Sequence, residues 1–139
     1  MSAKDRYHDA VKTALQKDGW LITHDPLRIP LERITSMFID LAAEKLIVAN
    51  RDNQKIAVEV KSFLTPSTIS EFHTAIGQFI NYRYALEDYE ADRIIYLAVP
   101  VRTYEDFFTT PFIKKVIKRS QINIIIFDPT TEEILQWQS

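Results

Sequence analysis

The feature of this sequence that most constrains its fold is the run Ile56-Ala57-Val58-Glu59-Val60-Lys61, in which two charged residues interrupt an apolar β-strand pattern. Successive side chains of a strand point to opposite faces of the sheet. Glu59 and Lys61 therefore share one face. The other face is apolar and is expected to pack in a core, and it holds Ile56, Val58 and Val60. The pattern predicts a carboxylate and an ammonium side by side on a rigid strand.

A second isolated carboxylate, Asp40, lies 19 residues before Glu59 in another apolar run. That separation allows two adjacent antiparallel strands to bring Asp40 and Glu59 together. Two carboxylates and the backbone carbonyl of Val60 are oxygen ligands of the kind that Mg²⁺ or Mn²⁺ prefers. Such an ion polarises a phosphodiester and activates its bound water, and Lys61 would orient that water or stabilise the charge that develops on phosphorus. The pattern predicts a metal-dependent phosphodiesterase site.

The same residues have a plainer interpretation. Glu-x-Lys on one strand face is a common surface ion-pair pattern, and exposed pairs contribute only about 0–1 kcal/mol to stability. The Glu59 and Lys61 pair is therefore either part of a metal site or a structural ion pair. Only the position of Asp40 in space distinguishes the two interpretations.

Two further polar residues are candidates for this site. His8 lies on the same helical edge as Val11 and Leu15, so that its imidazole could reach the end of the sheet; the alternative is a packing role. Gln78 and Tyr82 are four residues apart and share a helix face, which could approach a phosphate or water. Plain solvation of that face is the alternative.

Composition limits the class of protein. With 139 residues, of which 46% are hydrophobic, residues 1–139 are expected to form a single domain with a full core. A net charge of −2 argues against a generally basic nucleic-acid coat but permits a local basic patch. One such cluster suits phosphate contacts or is simply a solvated helix face, and it contains Lys114, Lys115, Lys118 and Arg119.

The absence of cysteine excludes disulfides, thiolate zinc sites and cysteine nucleophiles, and it fits a cytoplasmic protein. The first residues are too charged for the apolar core of a signal peptide. No apolar run approaches the ~20 residues of a membrane span. We expect a soluble cytoplasmic protein with no membrane partner.

The predicted elements follow the order α, then three or four β, then α, β, α, β. A first amphipathic helix begins near Tyr7 and ends at Gly19, and a second has an apolar stripe that includes Ile69, Phe72 and Phe79. Strands are predicted at 37–41, 46–49, 55–63, 94–99, 122–127 and 134–137, a polar turn at 50–54, and helices at 68–88 and, divided at Pro111, at 104–119. This order predicts an α/β (α+β) fold with a central mixed sheet flanked by helices.

Four residues resemble the motif of the PD-(D/E)XK, or restriction-endonuclease-like, nuclease superfamily: Asp40, Glu59, Val60 and Lys61. The resemblance implies an αβββαβ core, with Asp40 and Glu59 as metal ligands and Lys61 as the catalytic cation. The sequence departs from the superfamily at two places. Ile39 replaces the proline before the first acid, and His8 takes the position of the glutamate on helix one.

More specifically, the chain resembles the XisH type of fdxN element excision controlling factor protein from cyanobacteria. The strings that carry this resemblance are IDLAAEK (39–45), DNQKIAVEVKSF (52–63), ISEFHTA (69–75), GQFINYR (77–83), YLAVP (96–100) and FDP (127–129). The resemblance implies a role in programmed DNA excision during heterocyst differentiation. It also implies DNA, a site-specific recombinase and a small XisI-type protein as partners.

Three functions remain open at this stage. The first is a Mg²⁺-dependent or Mn²⁺-dependent endonuclease with Asp40, Glu59 and Lys61 in its site. The second is a non-enzymatic regulator that uses the nuclease scaffold to bind DNA or a protein partner. The third is a homo-oligomeric partner-binding protein in which the charged pair only supports the fold.

Overall fold

The computed structural model describes residues 4–33, 35–47 and 52–139, and within them a six-stranded mixed sheet lies between helices on both faces. The strands are Leu21–His24 (β1), Leu27–Leu31 (β2), Thr35–Ile39 (β3), Leu41–Ile47 (β4), Asp52–Val60 (β5), Arg93–Pro100 (β6), Ile124–Asp128 (β7) and Glu133–Gln138 (β8). The helices are His8–Lys17 (α1), Thr68–Tyr89 (α2), Val101–Thr103 (α3) and Pro111–Arg119 (α4), with a π-helical segment at Tyr104–Phe108. The predicted fold class is confirmed.

The large sheet has the strand order β1-β4-β5-β6-β7-β8, and β2 pairs only with β3 in a separate hairpin. Neighbours β1, β4 and β5 are antiparallel, whereas β5, β6 and β7 run parallel. Parallel neighbours need a crossover connection, which α2 supplies before β6 and α3 to α4 supply before β7. With the β2 and β3 hairpin set aside, the order α1, β1, β4, β5, α2, β6 is the expected αβββαβ order.

Side chains of β5 alternate between two apolar cores. Val58 and Val60 are buried in the core that α1 covers. Ala57 is buried in the opposite core, together with Phe79 of α2. Because Glu59 is two residues from Ala57 on the same strand, it points to the α2 face of the sheet.

The helix ends follow local sequence. Gly19 comes after α1 with φ of 88°, a left-handed conformation that favours glycine. Ser67 caps α2, because its Oγ accepts a hydrogen bond of 3.3 Å from the N–H of Ser70. Ile69 was predicted to lie on the apolar stripe of α2, but it is 41% exposed and is not part of the core. The buried face of α2 includes Leu86 instead. No helix in the described part of the chain is long and apolar enough to cross a membrane.

The strands around Asp40 differ from the prediction. A strand was predicted at 37–41, but the chain bends at Asp40, between β3 and β4. The Asp40 carboxylate accepts a hydrogen bond from the neighbouring strand, which stabilises this bend. β4 then continues to Ile47, so that no new strand begins at Leu46. Residues 52–54 belong to β5 rather than to the predicted turn. The remainder of the predicted strand and turn, residues 48–51, lies outside the described residues.

The sequence did not predict β1 or the β2 and β3 hairpin. Because of Pro26 and Pro30, the sequence favoured an extended or turning path for this region. Pro30 is nevertheless part of β2, where it lies opposite Ser36. A strand with one neighbour tolerates proline, because the N–H on its open side needs no partner strand.

Candidate active site

Adjacent strands bring Asp40 and Glu59 together, as their spacing predicted. Leu41 of β4 lies opposite Val58 of β5, so Asp40 and Glu59 occupy the next position along this antiparallel pair. Asp40 Oδ2 accepts a hydrogen bond of 2.7 Å from the N–H of Val60. Glu59 Oε1 in turn accepts one of 3.4 Å from the N–H of Asp40. Each carboxylate thus accepts a hydrogen bond from a backbone N–H, and these bonds hold the two side chains next to each other.

The positively charged group next to the carboxylates is the ammonium of Lys61. Its Nζ lies 3.6 Å from Glu59 Oε2, which places both side chains on one face of the strand end. The Lys61 side chain is 20% exposed, whereas that of Glu59 is 7% exposed. Within the described part of the chain, no other cation lies within 4.0 Å of either carboxylate. The ammonium therefore stands between the buried carboxylate and solvent.

Burial perturbs the pKa values of both acids. Burial, followed by the negative charge of Asp40, raises the pKa of Glu59 to about 8, although the Lys61 charge opposes the rise. Burial also raises the pKa of Asp40, against the hydrogen bond from the Val60 N–H. Two carboxyl groups in this position share a proton near neutral pH unless a cation neutralises them.

These donors fit a small divalent cation. Asp40 and Glu59 offer hard carboxylate oxygens, and a cation would offset the negative charge of Asp40, which helps to raise the pKa of Glu59. The Lys61 N–H donates to Ala98 O of β6 at 3.1 Å. Because the N–H and C=O of a trans peptide point in opposite directions, the Val60 carbonyl points away from β6, toward the side where Asp40 lies. Across residues 4–33, 35–47 and 52–139, no group of three or more His, Cys, Asp or Glu side chains could hold a metal.

His8 is buried at the start of α1 and is held by a residue that the sequence did not indicate. Its Nε2 lies 2.6 Å from Asp25 Oδ1, and Lys12 Nζ lies 2.7 Å from Asp25 Oδ2. His8 Nδ1 is buried and has no hydrogen-bond partner among the described residues. The charge of His8 acts to lower the pKa of Asp40.

Helix α2 covers the carboxylates from the other side. Burial raises the pKa of Tyr82 above its usual value, and the charges of Glu59 and Asp40 raise it further. Gln78 lies one turn before Tyr82 on the same face of the helix. The Gln78 Oε1 atom is buried, and no described group donates a hydrogen bond to it.

A cavity of about 540 Å³ lies at the C-terminal ends of the parallel strands. Its lining includes Tyr7 and Ser62, the chain neighbours of His8 and Lys61, together with Pro100 of β6 and Asp128 of β7. Open α/β sheets bind ligands at this edge. Asp40, Glu59 and Lys61 do not themselves line this cavity.

The comparison with protein families decides the relationship of the chain. A family model described as XisH protein matches residues 1–135. The chain belongs to the XisH family. The resemblance drawn from the sequence strings is thereby confirmed.

Solved structures resemble this XisH chain over nearly its whole length. The crystal structure of an XisH family protein from Nostoc punctiforme has 48% identity and a TM-score of 0.86, covering 97% of this chain and 100% of that chain. The crystal structure of an fdxN element excision controlling factor protein from Anabaena variabilis has 51% identity and a TM-score of 0.86, covering 96% of this chain and 98% of that chain. A search of curated proteins finds no match.

The residues predicted for the site differ in whether they contact one another in the XisH structure. Asp40, Glu59 and Lys61 are joined by direct contacts. Among the described residues, His8 and Gln78 each have a buried side-chain atom without a hydrogen-bond partner, and neither is hydrogen-bonded to the carboxylates. Asp25 was missed, because a loop residue ahead of a proline carries no pattern that points to His8.

Proposed function

We propose that this XisH family chain is an fdxN element excision controlling factor that acts in programmed DNA excision, and that it carries a divalent-metal-dependent phosphodiesterase site. Family membership and the relative from Anabaena variabilis support the first part. The second part rests on one observation: the buried carboxylate of Glu59 adjoins the partly buried carboxylate of Asp40, with the Lys61 ammonium 3.6 Å from Glu59. An XisI-type protein and a site-specific recombinase are the proposed partners that direct the chain to its DNA.

The residues would divide the work as follows. Asp40, Glu59 and the Val60 carbonyl hold Mg²⁺ or Mn²⁺, which when bound supplies Lewis-acid polarisation and an activated water. Lys61 places its positive charge where a phosphodiester develops negative charge, and it is exposed enough to meet that group. Two buried side-chain atoms that have no hydrogen-bond partner among the described residues, His8 Nδ1 and Gln78 Oε1, would be available to orient water.

A second function is favoured by the burial of Glu59. Glu59 is only 5% exposed, and its raised pKa keeps it protonated near neutral pH when no cation is bound. A chain with this site could regulate recombination by binding DNA or the XisI-type partner without cutting. The two functions differ in whether Lys61 is needed for a chemical step.

The test is nicking of supercoiled plasmid with Mg²⁺ or Mn²⁺, with the purified chain alone and with its XisI-type partner. The Lys61→Met variant should lose nicking by about 100-fold or more while it still binds metal, because it removes charge stabilisation but no ligand. Lys17→Met is the matched control, since Lys17 lies at the far end of α1 and, among the described residues, bonds only to the Thr131 carbonyl. Absence of nicking by the unmodified chain in both conditions would favour the regulator.

A further inference from the structure

A basic groove lies on the α2 and α4 side of the sheet, apart from the carboxylates. It encloses about 1230 Å³. No Asp or Glu side chain of the described residues lines it, and its cations are Arg83, Lys114, Lys115, Lys118 and Arg119. The chain as a whole carries a net charge of −2, so this concentration of positive charge is local. A groove of this kind attracts an anion.

The cations of α4 form rows rather than a closed ring. Lys114 and Lys118 are one helical turn apart, about 6 Å along the axis, and so are Lys115 and Arg119. All four side chains belong to exposed residues, and none forms an ion pair with a described residue. The buried face of the helix is formed by Ile113 and Ile117. This linear arrangement suits an extended polyanion better than a single phosphate.

One cation of the groove is held rigidly. Arg83 Nη1 donates to Ser120 O at 2.9 Å and to Gln121 O at 3.0 Å, and its guanidinium lies 5.5 Å from the centre of the Phe79 ring. Arg83 thus joins α2 to the end of α4 and fixes a positive charge in the groove wall. Tyr82, the preceding residue, lies within reach of the Glu59 and Asp40 charges. None of Asp40, Glu59 and Lys61 lines the groove, which is therefore a surface separate from the carboxylate site.

We propose that this groove binds the phosphate backbone of DNA, independently of any divalent cation, at a surface separate from Asp40 and Glu59. The choice of DNA among polyanions rests on the proposed function in DNA excision. Backbone contacts carry no sequence information, and each one that is formed releases a counterion. Binding through the groove is therefore tolerant of sequence and falls steeply as the salt concentration rises.

The experiment measures fluorescence anisotropy of a labelled DNA duplex with the full chain in EDTA, over a series of salt concentrations. The Lys114→Gln/Lys118→Gln variant should bind about tenfold more weakly, and the slope of log K against log salt should be smaller in magnitude by about 2. Lys17→Gln/Lys45→Gln makes the same change in net charge on the α1 side of the sheet and should retain the affinity. Lys17 bonds to the Thr131 carbonyl, and Lys45 bonds to the Asp18 carbonyl and lies 5.7 Å from the centre of the Trp20 ring. Thermal melts establish that both variants are folded.

Several outcomes would overturn the proposal. They are failure of the unmodified chain to bind the duplex, equal losses in the groove and control variants, and loss of XisI-type partner binding with DNA binding unchanged. A competition arm with inorganic phosphate should displace the DNA no better than ionic strength alone explains. Because EDTA removes the metal, Glu59→Gln should bind the duplex normally. A negative result for DNA binding by the groove is thus distinguishable from the absence of a metal site, which nicking and metal titration test.

Discussion

Asp40 reaches across to the neighbouring strand, where its Oδ2 accepts a 2.7 Å hydrogen bond from the backbone N–H of Val60. Val60 lies between Glu59 and Lys61, so this bond fixes the first acid against the strand that carries the other two charges. Substitution of Asp40 would remove both a carboxylate and a contact between strands. Glu59→Gln retains the shape of the side chain and removes only its charge, and it is the cleaner variant for testing the site.

The first prediction concerns stability and pH. Glu59 has a pKa of about 8 in the folded chain, against an ordinary value of 4.5. Between these values the folded state holds a proton that the unfolded state has released, so stability falls as the pH rises through this range. In EDTA, Glu59→Gln should be more stable than the unmodified chain by about 1–2 kcal/mol near pH 9. Near pH 5 the difference should be small, as urea unfolding at both pH values would show.

Glu87→Gln is the matched control for that prediction, because Glu87 is an exposed residue of α2. Its free energy of unfolding should follow the pH dependence of the unmodified chain. If Glu59→Gln also followed that dependence, the carboxyl pair would not hold a shared proton. The electrostatic description of the site would then be wrong.

The second prediction concerns Asp25. Burial acts to raise the pKa of this acid, but hydrogen bonds from Lys12 and His8 outweigh it and hold the pKa below its usual 3.8. A carboxylate with a lowered pKa stabilises the fold above its unfolded pKa, and this contribution is lost as the pH falls through the folded pKa. Asp25→Asn should therefore cost about 1–3 kcal/mol at neutral pH, with the gap narrowing in acid.

Urea unfolding at neutral and acid pH measures this effect. Asp9→Asn is the control. Asp9 is on α1, the helix that carries His8 and Lys12, but its side chain is 82% exposed and its ion pair to Lys4 is 4.0 Å long. That variant should change stability little. Equal stabilities of Asp25→Asn and the unmodified chain at neutral pH would show that Asp25 does not hold His8 and Lys12 in place.

The central geometry was predictable because it follows from local rules. Strand alternation puts Glu59 and Lys61 on one face, and the spacing to Asp40 matches an antiparallel neighbour. The bend at Asp40 was not predictable, because it depends on a bond to Val60 that forms only once β4 and β5 are paired. The strand position of Pro30 was hidden for a related reason, since proline is tolerated only because β2 has one open side.

Contacts between distant segments were the least predictable part of the site. His8 is on a helix and Asp25 in a loop after β1, and no periodic pattern joins them. In the same way, the sequence left the basic residues near Lys114 open between phosphate contacts and a solvated helix face. The structure adds Arg83 from α2 to the same groove. Such relationships arise from packing of separate elements and are absent from any one stretch of sequence.

The most direct test of the central claim is calorimetric titration of Mn²⁺ and Mg²⁺ into the unmodified chain, Glu59→Gln and Glu87→Gln. The unmodified chain and Glu87→Gln should bind one ion per chain, and Glu59→Gln should bind at least about tenfold more weakly because one of its two carboxylate ligands is gone. Binding should release protons below about pH 8, where the pKa of Glu59 leaves it protonated. No binding by the unmodified chain, or equal binding by Glu59→Gln, would contradict a metal site at Asp40 and Glu59.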